Sequence, residues 1–110
     1  MRDKIKELIK VLTKKNQLDK ISWEKTSSDT EFKSTIGKAT ITVNNFQDQD
    51  GENYALNIYN PNGEKIETVI LMDSMGDENI LLLKELYSSV IECYYQVDKT
   101  IDDILDDLEK

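Results

Sequence analysis

Tyr54-Ala55-Leu56-Asn57-Ile58-Tyr59-Asn60-Pro61-Asn62-Gly63-Glu64-Lys65-Ile66-Glu67-Thr68-Val69-Ile70 decides the fold of this chain. Tyr54, Leu56 and Ile58 recur at every second position, as do Ile66, Thr68 and Ile70. A period of two is the repeat of a strand, whose side chains point to alternate faces. Between the runs stands Asn60-Pro61-Asn62-Gly63. Proline pre-sets one turn dihedral and glycine tolerates positive φ, so the stretch predicts a tight antiparallel hairpin.

The same rhythm extends toward the N-terminus. Ala39-Thr40-Ile41-Thr42-Val43 alternates and is β-branched, Ile21-Ser22-Trp23-Glu24 alternates, and Phe32 to Ile36 fits a shorter strand. Gln47 to Glu52, with Gly51, reads as a polar hairpin loop, and Ile36-Gly37-Lys38 as another turn. Four or five short strands joined this way, over about residues 20–72, make an antiparallel meander.

On either side the period becomes helical. Ile5, Leu8, Ile9 and Leu12 sit at i, i+3, i+4 and i+7, predicting a helix over about residues 2–16. At the other end, Leu83, Tyr87, Val90, Tyr94, Val97, Ile101, Ile104 and Leu108 step by four and three in an unbroken heptad rhythm. This predicts a long helix over about residues 78–109, with Asp77 or Asn79 available to cap it. A sheet with one apolar face needs cover, and these two helices are the available elements. The expected architecture is α+β: one domain over residues 1–110, with both helices on one face of the meander.

From Ile80 to Leu108 the helix would be about 43 Å long, whereas a six-residue strand spans about 20 Å. The sheet can cover the stripe from Leu83 to Tyr94, but Val97, Ile101, Ile104 and Leu108 outrun it. The unbroken phase favours one continuous helix. The alternative is a break between Gln96 and Thr100, with Asp98 as a cap or Thr100 and Asp103 as a capping box. This end is acidic: residues 92–110 hold seven Asp/Glu and two Lys/Arg, net −5. Residues 1–20 hold seven Lys/Arg and three Asp/Glu, net +4. The plain reading is a solvated acidic face. The sharper one pairs this segment with the lysine-rich first helix, in the same or a neighbouring subunit.

Composition narrows the functional classes. A net charge of −8 argues against nucleic acid, whose phosphates need a basic surface. No apolar run exceeds four residues, so no segment is expected to span a membrane. Lys4, Lys6, Glu7 and Lys10 interrupt any secretory core, and a single cysteine forms no internal disulfide, which together point to a cytoplasmic protein. The chain has no histidine, which removes most nucleophilic triads and the commonest metal ligand. Cys93 follows Leu86 and Val90 and precedes Val97 on a helical stripe, the pattern of a small core residue. Asp48-Gln49-Asp50-Gly51 resembles a calcium loop only superficially. Aligning Gly51 with the EF-hand glycine puts Phe46 first and Asn57 last, where acidic ligands belong. No cofactor, metal or catalytic residue is therefore expected.

Trp23, on an alternating strand, reads as core, and Tyr54 shares parity with Leu56 and Ile58. Tyr59 has the opposite parity and is the expected exposed aromatic. Ile-Ser-Trp-Glu-Lys-Thr at 21–26, the hairpin sequence at 54–63, Leu86-Tyr87 and Val97-Asp98-Lys99-Thr100-Ile101-Asp102-Asp103-Ile104-Leu105 together resemble small uncharacterised bacterial α+β proteins. The resemblance implies the helix–meander–helix order and no activity.

The expected function is a non-enzymatic protein-interaction module of the immunity, antitoxin-like or chaperone-like kind. It would bind a protein partner, or itself, through Tyr59, Val97, Ile101, Ile104 and Leu108. The alternative is an enzyme or small-ligand protein with a carboxylate/tyrosine pocket between sheet and helices.

Overall fold

The computed structural model describes residues 1–110. Helix α1 (Asp3–Gln17) precedes strands β1 (Glu24–Lys25), β2 (Glu31–Ile36), β3 (Ala39–Asp48), β4 (Gly51–Tyr59) and β5 (Lys65–Met72). A short 3-10 turn at Asp73–Met75 leads to helices α2 (Ile80–Tyr95) and α3 (Val97–Leu108). The five strands form one antiparallel sheet in sequence order, the expected meander.

Cross-strand register explains the core. Phe32 stands opposite Val43, Val43 opposite Leu56, and Leu56 opposite Val69, one row across four strands. Phe32 and Leu56 are fully buried. Ile5, Ile9 and Leu12 of α1 and Leu83, Leu86 and Val90 of α2 join this row in one cluster with Trp23 and Ile41. Both helices therefore cover the same sheet face. Leaving this row would cost about 3–5 kcal/mol at Phe32 alone, the usual loss on truncating a buried aromatic to Ala.

The opposite face is open and largely polar. Asn57 Nδ2 donates to Thr42 Oγ1 at 3.2 Å, and Thr68 Oγ1 donates to Asn57 Oδ1 at 2.9 Å, a polar row across β3, β4 and β5. Tyr59 lies on this face, half-buried rather than exposed, with Lys65 Nζ 5.9 Å from its ring centroid.

Turn chemistry follows the sequence closely. Asn60 Oδ1 accepts from the amides of Asn62 and Glu64, both at 3.0 Å, and Gly63 takes φ 83°. The β3–β4 turn is tighter than expected: pairing continues to Asp48 and Gly51, leaving only Gln49 and Asp50 between strands. A β-bulge in the β4–β5 ladder has larger consequences. Tyr59 faces Lys65 but Ile58 faces Glu67, so Ile66 is an extra residue. A one-residue shift turns a strand over. Ile70 and Thr68 consequently face the open side, while Val69 and Leu71 enter the core.

A buried polar link ties the end of α1 to the rest. Trp23 Nε1 donates to Asn16 Oδ1 at 2.7 Å, and Asn16 Nδ2 donates to Ser89 Oγ at 2.9 Å. Ser89 Oγ in turn donates to the Leu86 carbonyl at 2.7 Å. An indole N–H only donates, so Asn16 must present its oxygen to Trp23 and its amino group to Ser89. Asn16→Ala leaves the buried indole N–H without an acceptor. It is expected to lower unfolding free energy by about 2 kcal/mol, measured by urea denaturation.

Candidate protein-interaction surface

The expected continuous C-terminal helix is broken. Gln96 adopts φ 50° and ψ 53°, the left-handed region, and divides α2 from α3. Its N–H bonds to the Glu92 carbonyl and its own carbonyl accepts the Thr100 amide at 2.9 Å. One residue thus ends the first helix and begins the second. An L-residue in this conformation costs about 1 kcal/mol, and the heptad count does not register a single dihedral. The expected caps are not used. Asp98 and Thr100 fall within the first turn of α3, and no side chain caps it. Before α2, Asp77 Oδ1 accepts the Asn79 amide at 2.8 Å, while Asn79 itself gives no side-chain cap.

No residue of α3 is buried. Val97, Ile101, Ile104, Leu105 and Leu108 are all exposed, Leu108 at 76%. At about 100° per residue they occupy a single arc of roughly 100°, the width of a normal core-facing stripe. Asp98, Asp102, Asp103, Asp106, Asp107 and Glu109 fill most of the rest. Asp98–Asp102–Asp106 and Asp103–Asp107 are like charges at i, i+4 and oppose helix formation. The only ion pair here, Lys110–Asp107 at 4.0 Å, is fully solvated and contributes little. The radius of gyration is 15.4 Å against about 13 Å for a compact chain of this length. A helix standing off the body accounts for the difference.

Of the sequence-derived contact residues, Val97, Ile101, Ile104 and Leu108 do share one surface, and Leu105 extends it. Tyr59 is not part of it, since it lies on the open sheet face while α3 continues from α2. Pairing of α3 with the lysines of α1 within one chain is not observed; the ion pairs are Arg2–Glu67, Lys84–Asp73 and Lys110–Asp107. The aromatic residues of α2 are structural. Tyr87 Oη donates to the Thr30 carbonyl at 2.7 Å, and Tyr94 packs edge-on to Phe32 at 5.0 Å between centroids. Tyr95 turns outward, as neighbours on a helix must.

The corner between α1, α2 and α3 encloses an open polar cleft of roughly 390 Å³, lined by Asn16, Asp19, Glu92, Cys93 and Gln96 among others. No three His, Cys, Asp or Glu side chains converge to hold a metal. No helix is long and apolar enough to cross a membrane. Comparison with protein-family models, with curated proteins and with solved structures finds no match.

Cys93 is half-buried beside this cleft, its Sγ 3.2 Å from the Ile21 carbonyl and 3.4 Å from Asp19 Oδ1. Burial pushes its pKa up, and the adjacent Asp19 carboxylate pushes it further. The neutral thiol is favoured and the nucleophilic thiolate suppressed. Iodoacetamide should alkylate Cys93 more slowly than a free cysteine at pH 8. Asp19→Asn should lower its apparent pKa in a rate-against-pH series.

Proposed function

We propose that this chain is a cytoplasmic, non-enzymatic protein-binding module, and that α3 is the helix it presents to a basic partner protein. The carrying observation is an amphipathic helix of ordinary core-facing width with nothing buried on it. A 12-residue helix is marginal in water by itself, and its i, i+4 aspartates weaken it further. A cationic groove would supply both missing components: apolar cover for Ile101, Ile104 and Leu108, and counter-charge for the aspartates beside them. Acidic surfaces also speed such encounters and select among partners.

The core between sheet and helices supports this reading over a pocket enzyme, because Phe32, Ile9, Leu56, Leu86 and Val90 fill it. The overall acidity weighs against nucleic acid. The free thiol of Cys93 suits a reducing compartment.

The test compares capture by the immobilised full chain with capture by its Ile101→Asp/Ile104→Asp/Leu108→Asp variant. These side chains lie outside the core, so the variant should melt like the parent. The parent should retain a basic protein, with capture falling as salt rises from about 50 to about 500 mM. The variant should lose at least about tenfold. Equal capture by the variant, or capture indifferent to salt, would overturn the proposal.

A further inference from the structure

Strand β5 is an edge, paired only with β4. No turn, loop or side-chain hydrogen bond reaches its outward main-chain groups. The other edge is closed differently: β1 has two residues, and the Ser34 hydroxyl ties β2 to the Ser22 carbonyl at 2.7 Å. Exposed edges are normally blunted by charge, proline or shortness. Thr68-Val69-Ile70-Leu71-Met72 has no charge, proline or glycine, and Ile70 is 55% exposed on the open face. Such a segment pairs readily with another strand.

We infer that β5 pairs antiparallel with β5 of a second copy, about a two-fold axis through the two Val69 residues, giving a continuous ten-stranded sheet. The strand's own sequence selects this register. A two-fold perpendicular to the sheet requires opposed residues to share a face, so the axis passes through a single position. Centring on 67 opposes Glu67 to its own copy. Centring on 68 sets the bulge residue Ile66 opposite Ile70 in the middle of the contact, and centring on 70 opposes Glu67 to Asp73. Centring on 69 opposes no like charges, sets Lys65 against Asp73, and moves Ile66 to the end of the ladder, opposite Met72. Thr68 of each chain then meets Ile70 of the other on the open face, and Val69 meets its own copy on the helix side. Cross-strand β-branched pairs of this kind are favourable. A shallow cleft of roughly 500 Å³ lies beside the same edge, lined by Met1, Ile5 of α1, Val69 and Leu71 and by the Arg2–Glu67 ion pair, and the second copy would close it.

This association is independent of α3. Light scattering of the purified full chain should give twice the 12.7 kDa chain mass. Thr68→Lys/Ile70→Lys, on an exposed face, should keep the parent's circular dichroism yet run as a monomer. In a Cys93→Ser background, Thr68→Cys/Ile70→Cys should form inter-chain disulfides on mild oxidation, while Thr35→Cys on the same face of β2 should not. Truncation after Gln96 should leave the doubled mass intact, separating this result from loss of partner capture. A monomeric parent would overturn the inference. So would a dimer that survives the lysine pair, is lost on truncation, or cannot be trapped between positions 68 and 70.

Discussion

Burial of the row Phe32–Val43–Leu56–Val69 beneath α1 and α2 is the constraint on which the rest of the structure depends. Four strands contribute one residue each, and every residue of the row must face the helices. That condition fixes the register of each ladder, because a slip by one residue would carry a strand's apolar side chains to water. It also places the last turn of α1 against α2. Asn16 can link Trp23 to Ser89 only while Ile9 and Leu12 hold α1 against α2. Polar specificity is thus built on top of apolar burial, with no buried side-chain polar atom left unpaired.

The bulge at Ile58/Tyr59 shows how the row overrides a local pattern. Without it, Ile66, Thr68 and Ile70 would oppose Ile58, Leu56 and Tyr54 and enter the core. With it, Val69 and Leu71 do so. Two packed apolar residues replace a set that included a threonine, and the displaced Ile70 becomes surface. The bulge therefore brings Val69 and Leu71 to the core side together with Glu67, which pairs with Arg2, and leaves Thr68 and Ile70 on the open face of the edge strand.

Much of the fold was legible in the sequence because it rests on local chemistry. Asn60-Pro61-Asn62-Gly63 forms its turn from its own side chains and dihedrals. The i, i+3, i+4, i+7 spacing of α1 and the alternation around Ile41 and Leu56 each follow from one element's geometry. The parts that were not legible depend on contacts between distant residues or on a single dihedral. Nothing in Asn16, Trp23 and Ser89 announces that they meet. Tyr59 reads as exposed by parity, yet Lys65 settles over its ring. The break at Gln96 falls where the alternative reading puts it, but it uses neither glycine nor proline nor the caps named for it, and the unbroken heptad phase favours continuity. For the contact surface, the apolar stripe from Val97 to Leu108 was evident. Its overrun of the sheet was evident too; that it forms a separate helix set off by a left-handed Gln96 was not.

The break and the row together explain why α3 has a different status from every other helix. α2 is held by Leu83, Leu86 and Val90 in the common core, whereas α3 begins after the last core residue and buries nothing. Its stability should therefore be local, and uncoupled from global unfolding. Native-state amide hydrogen exchange on the free chain measures this directly. Amides of α3 from Ile101 onward should exchange within about tenfold of unstructured-peptide rates, while those of Val43, Leu56, Leu86 and Val90 exchange only through global unfolding. Protection of the α3 amides equal to that of the core would contradict the account.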